Sequence, residues 1–255
     1  MTFSIAIKGE LLKTKRTSVI YIAIITAAII PLMMLFFNAE EPEAMKSLKQ
    51  DPWNIYFEDG SQPLSLVFLP LFIILITSLV PQLEHRNNTW KQVLASPQSK
   101  FNIYFSKFLI IQLLILLFLV VYNILVSLSL FGVHTLRSNL SLFSHSMNWK
   151  RFLTLNANIY ISILAISAFQ FWLGVRFKNF IIPLAIGFGL WVTAIMMVGI
   201  YKWEHADKFP FAFPFITINP EYKTLPFIMW SSFGYCILFS LIGFLDFVKR
   251  KRKGI

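Results

Sequence analysis

Phe108-Leu-Ile-Ile-Gln-Leu-Leu-Ile-Leu-Leu-Phe-Leu-Val-Val-Tyr-Asn-Ile-Leu-Val-Ser-Leu-Ser-Leu-Phe131 runs for 24 residues without a charge. At about 1.5 Å rise per residue, a helix of that length crosses the roughly 30 Å hydrocarbon core of a bilayer. Five further stretches behave the same way: Val19 to Phe37, Leu64 to Leu83, Phe152 to Val175, Phe180 to Tyr201 and Leu225 to Leu245. None of the six contains Asp, Glu, Lys, Arg or His. They are too long and too uniformly apolar for barrel strands, which alternate polar and apolar over about ten residues. The expected fold is therefore all-α, with six transmembrane helices.

The composition agrees. Of 255 residues, 56% are hydrophobic and 14% charged, and the mean hydropathy is +0.66. A soluble domain keeps about a quarter of its residues charged. Cys236 is the sole cysteine, which excludes an internal disulfide scaffold. The layout divides into a segment at residues 1–18, a six-helix domain at 19–247 and a basic tail at 248–255. The first span has no Ala-x-Ala-like exit and reads as retained.

Lys and Arg set the orientation. The amino terminus carries four, the second loop four, the fourth loop two and the tail five, which puts fifteen on one side. The other side has eight, completing the 23. Both termini are expected in the cytoplasm. The net charge of +11 is then a topology signal and an attraction to anionic headgroups, and calls for no nucleic-acid partner.

The residues needed for self-powered work are missing from the sequence. With no ionisable group inside a span, coupling to a proton or sodium gradient has no evident binding point. His85, His134, His145 and His205 fall in loops without metal-binding spacing, so no metal or catalytic residue is assigned. There is no phosphate-binding loop and no nucleophile elbow.

Polar residues inside spans are costly in lipid unless they face another helix or water. Asn123, Asn156, Asn158 and Gln170 are accordingly candidates for a path or a helix seam. Ala185 and Gly189 form a small-x-x-x-small pair suited to close helix approach. Beyond the fifth span, Phe209-Pro210-Phe211-Ala212-Phe213-Pro214-Phe215 and Asn219-Pro220 are too proline-rich for a regular helix and too aromatic for a free loop. This stretch reads either as a segment dipping into the outer interface or as an aromatic anchor belt.

Two segments on the side assigned to the cytoplasm carry organisation. Phe3, Ile7 and Leu11 recur every four residues among Lys8, Lys13, Lys15 and Arg16, as in an amphipathic helix lying among headgroups. A charged stop that only fixes topology is the alternative. Between the second and third spans, Thr89 and Gln92 have capping-box spacing. Trp90, Val93 and Leu94 then share a face and Pro97 ends the helix, flanked by Glu84, Arg86 and Lys91.

The run Glu84-His-Arg-Asn-Asn-Thr-Trp90-Lys91-Gln-Val-Leu-Ala-Ser-Pro97-Gln-Ser99-Lys100, followed by Tyr104 and Ser106-Lys107, resembles the first cytoplasmic loop of type-2 ATP-binding-cassette (ABC) exporter permeases, nearest to those of bacitracin and lantibiotic export or self-immunity. The resemblance implies the type-2 exporter transmembrane fold in a bacterial inner membrane, with an amphipathic amino-terminal helix. It makes Glu84, Arg86, Thr89, Trp90, Lys91, Val93, Leu94, Pro97, Ser99 and Lys100 the contact for a separate ABC ATPase subunit. That partner would bind ATP and Mg, and this chain would bind no cofactor. A second copy or a sister permease would complete a path for an amphipathic peptide, antibiotic or lipid-like cargo. Phe209, Pro210, Phe213, Pro214, Asn219 and Pro220 would form short re-entrant helices at the outer mouth. Two readings without transport stay open on the residues alone: a six-span membrane protein that sequesters a toxin, and an intramembrane enzyme.

Overall fold

A computed structural model describes residues 3–15, 17, 19–40, 48, 51–86, 98–136, 146–219 and 225–252. Among them there are helices and no strands, and six helical stretches are long and apolar enough to cross a membrane. The helices are α1 (Phe3–Lys15), α2 (Val19–Glu40), α3 (Pro52–Pro63), α4 (Leu69–Arg86), α5 (Lys100–Leu136), α6 (Trp149–Ser162), α7 (Leu164–Arg176), α8 (Ile181–Ile195), α9 (Phe213–Ile218) and α10 (Leu225–Arg252). π-helical turns at Leu64–Phe68 and Met196–Ile200 join α3 to α4 and extend α8.

Several helices outrun the uncharged stretches that announce them. Asp51 accepts a hydrogen bond from the Asn54 N–H and Pro52 occupies the first turn, so α3 starts twelve residues before Leu64 and runs into the second span. Ser99 Oγ caps α5 by accepting from the Asn102 N–H at 3.1 Å, and that helix is 37 residues long. α10, the helix of the sixth span, continues to Arg252, through the start of the basic tail.

α5 is the central post. Ile111, Ile115, Phe118, Val126 and Leu130 on it are fully buried. Phe118 stacks on Phe72 of α4 with ring centroids 4.3 Å apart. α2 and α1 pack along α5, α4 packs on α7, and α7 packs on α10. Large apolar residues such as Tyr21, Ile25, Phe36, Ile181, Trp230 and Leu245 point outward, as a lipid-facing or partner-facing surface requires.

In hydrocarbon, every break in a helix frees backbone groups that need a partner. The fourth span breaks between α6 and α7 at Ile163. Ser232 of α10 fills the break, donating from Oγ to the Ile161 carbonyl at 2.6 Å and accepting from the Ala165 N–H at 3.3 Å. The π turn of the second span is treated likewise: Trp191 Nε1 of α8 donates to the Leu66 carbonyl at 2.8 Å.

The close helix contacts do not run through Ala185 and Gly189. Both are exposed on α8, and a Cβ on Gly189 would meet nothing within 4 Å. Gly174 of α7 and Gly187 of α8 make the close approaches instead. A Cβ on Gly174 would lie 2.2 Å from the Thr77 carbonyl oxygen, and one on Gly187 would lie 2.2 Å from Gln170 Nε2. Backbone cannot swing aside as a side chain can. Gly174→Ala should therefore cost about 1–3 kcal/mol, read as a lower Tm in detergent, while Gly189→Ala leaves Tm unchanged. Equal melting of the two variants would refute this packing.

Candidate functional site

Of the residues expected to contact a partner, Thr89, Trp90, Lys91, Val93, Leu94 and Pro97 lie outside the described residues. Arg86 ends α4, and its side chain is not described. Ser99 caps α5 and Lys100 is its first residue. Glu84 is almost fully buried, two residues before the end of α4.

What surrounds Glu84 makes it the centre of a site. Lys107, about two turns inside α5, donates from Nζ to Glu84 Oε1 at 2.6 Å and to Glu10 Oε2 of α1 at 2.8 Å. Lys13, one turn beyond Glu10 on α1, donates to Glu10 Oε1 at 2.7 Å and to Glu84 Oε1 at 2.9 Å. Two carboxylates and two ammoniums thus alternate in one neutral cluster that joins three helices. The Lys107 side chain is 2% exposed and that of Glu84 4%, whereas Lys13 remains 47% exposed. Burial by itself would lower the Lys13 pKa, but the carboxylates of Glu84 and Glu10 outweigh it and hold the group above its usual 10.5. Its contribution to stability is therefore fully present at neutral pH and fades only as pH rises above 10.5 through the raised folded-state value.

The helix α1 makes this possible by an unusual division of faces. Ala6, Glu10 and Thr14, spaced four apart, are buried against the bundle. Phe3, Ile5, Leu11 and Leu12 are exposed. Of the apolar series that suggests amphipathicity, Ile7 packs against the core while Phe3 and Leu11 are exposed, and the fully buried stripe is small and polar. Glu10 is the only acid in the first eighteen residues, yet the sequence reading passes over it, along with Lys13 and Lys107 as its partners. The available signal was that Glu84 and Lys107 flank the same loop with opposite signs.

Other contacts knit the same end of the bundle. Gln82 Nε2 donates to the Phe177 carbonyl at the end of α7 at 2.9 Å. Trp172 Nε1 donates to Asp246 of α10 at 3.3 Å, and Arg176 pairs with the same carboxylate at 3.5 Å. Tyr104 packs its ring against Phe171 and Phe247, at centroid distances of 4.9 and 5.7 Å.

The polar residues within the spans do not converge on one place. Asn123 Nδ2 donates to Asn156 Oδ1 at 2.8 Å, which pins α5 to α6. Asn158 is half-buried on α6 and makes no hydrogen bond among the described residues. Gln170 is fully buried on α7 against Gly187, and neither amide atom has a hydrogen-bond partner among the described residues. A different polar bridge was not anticipated: Gln112 of α5 donates to Ser167 of α7 at 2.9 Å and accepts from Tyr160 at 3.2 Å.

At the opposite end of the bundle, Phe209 is half-buried, Pro210 opens the 3₁₀ turn Pro210–Ala212, and Pro214 sits in the first turn of α9. Phe213 is fully buried, and α9 packs against α6, α10 and the first π turn. Asn219 ends α9, and Pro220 lies outside the described residues.

Removing one member of a buried charge cluster leaves the others uncompensated, at about 3–5 kcal/mol. Lys107→Met should accordingly lower Tm far more than Lys13→Met, whose ammonium is half in solvent. Glu84→Gln combined with Lys107→Met leaves Glu10 and Lys13 as a balanced pair and should recover part of the loss. Equal, small effects of Lys107→Met and Lys13→Met would contradict the cluster.

Residues 6–194 match a family model described as ABC-2 family transporter protein, a stretch running from α1 into α8. No curated protein and no solved structure matches the chain.

Proposed function

We propose, because this chain belongs to the ABC-2 family of transporter proteins, that it is the permease subunit of an exporter driven by a separate ATPase. Membership makes it a membrane transport subunit, and six long apolar helices make it a multi-pass membrane protein. The observation that carries the finer reading is the short hydrogen bond from Lys107 to Glu84. These two residues bracket the connection at residues 87–97, and Glu10 and Lys13 extend the bracket to α1.

A connection whose two ends are locked together cannot absorb a push by spreading them apart. Displacement applied at residues 87–97 passes to the second and third spans and to α1 as one body. Such a lever suits an ATPase subunit docking on the connection through Trp90 and its neighbours, on the cytoplasmic side where both termini lie. A second copy, or a sister permease, covers the apolar surface that α8 and α10 leave exposed. The cargo is an amphipathic peptide, antibiotic or lipid-like molecule, moved outward across a bacterial inner membrane. The burial of Phe213 and Pro214 supports a role for α9 in closing the outer mouth.

The test is coupling. The chain is reconstituted in vesicles with the ATPase that co-purifies with it, and hydrolysis and cargo efflux are measured together. Trp90→Ala should lower the efflux obtained per ATP hydrolysed at least several-fold while leaving the Tm of the permease unchanged. No associated ATPase, or efflux and hydrolysis that ignore Trp90→Ala, would refute the reading.

A further inference from the structure

At the end of the bundle opposite the termini, a cavity of about 470 Å³ opens between the two π-helical turns and α9, within the size range of small-molecule sites. Leu66, Val198 and Phe215 contribute apolar walls, while Gln62, Lys202 and Asn219 are its polar members. No carboxylate lines it among the described residues.

Three features converge there. First, both π turns of the bundle face the same space, through Leu66 on one side and Val198 and Gly199 on the other. π-helical insertions cost regular hydrogen bonding and recur at functional sites. Second, Lys202 has φ of +45°, and among the described residues no other non-glycine residue has a positive φ. The helix closes over it: the Tyr201 N–H donates to the Met196 carbonyl and the Trp203 N–H to the Met197 carbonyl, both at 2.9 Å. That closure is made most cheaply by glycine, so a lysine there carries a conformational cost that packing does not explain. Third, the Lys202 ammonium pairs with no carboxylate among the described residues. The cavity thus offers one cation, two amides and a long apolar wall.

We infer that this cavity binds an amphipathic molecule with an anionic head, the head on Lys202 and an acyl chain along Leu66, Val198 and Phe215. The inference deepens the export reading by naming the charge of the cargo, and rests on it for the direction in which the cavity faces. An anionic phospholipid of the bilayer could present the same chemistry, and the experiment separates that source from a soluble cargo.

The full chain, in nanodiscs of zwitterionic phosphatidylcholine and with no ATPase, is titrated at pH 9 with spin-labelled stearate and with a trimethylammonium probe of equal chain length. The motion-restricted fraction is read by EPR. Wild-type protein should bind the stearate about tenfold more tightly, the expected scale of one charge-assisted hydrogen bond. Lys202→Gln keeps the backbone and should erase the preference. A Cβ on Gly199 meets nothing within 4 Å, so Gly199→Phe can fill the cavity without a backbone clash and should abolish binding of both probes. Displacement of the stearate when phosphatidylglycerol is added to the discs assigns the site to the bilayer lipid, and no displacement assigns it to cargo. Equal binding of the two probes, or a preference that survives Lys202→Gln, overturns the inference. Because no ATPase is present, either result leaves the coupling measurement independent.

Discussion

The arrangement depends on two ammoniums and two carboxylates held out of water. Moving a lone charge from water into a protein interior costs several kcal/mol even after relaxation, so Lys107 and Glu84 could not sit where they do singly. Their mutual contact, with Glu10 as the second acceptor, makes burial tolerable, and it fixes geometry because each lost partner strands the rest. Such a cluster contributes modestly to net stability and strongly to specificity of position. It determines that α1 lies across the mouth of the third span and that the helices on either side of residues 87–97 end side by side.

The rest of the bundle obeys a second constraint of the same kind, written in neutral groups. A helix break in lipid exposes amides that no water can satisfy. Ser232 repairs the break in the fourth span from the sixth, and Trp191 repairs the π turn of the second span from the fifth. Spans separated in the chain are thereby joined where they are irregular. Helices kept irregular at a stable cost are natural places for two packings of similar energy, and both π turns border the cavity at the far end. The charged cluster rigidifies one end of the bundle, and the irregular turns leave latitude at the other.

Much of the architecture is legible in the sequence because hydropathy over twenty residues is a summed signal. Six stretches announce six spans, and the family resemblance at Glu84 to Lys107 agrees with the match over residues 6–194. What is not legible depends on which neighbour a side chain meets. Ala185 and Gly189 have the right spacing for close packing, yet Gly174 and Gly187 do the packing, because spacing says nothing about which face turns inward. Glu10 looks like a stray acid in a basic segment until α1 is laid on α5. The apolar periodicity of α1 is real, but Phe3 and Leu11 in it stay exposed, and the buried stripe is Ala6, Glu10 and Thr14. The helix before the second span was hidden because Glu58, Asp59 and Gly60 interrupt hydropathy without interrupting the helix.

The claim at the centre is that α1 and the start of the third span move as one body. Spin labels at Gly9 and Phe101, both exposed, report it by pulsed EPR in a Cys236→Ser background, with the reconstituted ATPase supplied first without nucleotide and then with ATP. The account predicts one narrow distance distribution that does not shift between the two conditions. A distribution that splits or shifts on adding ATP would show that the charged cluster opens during turnover, and would contradict it.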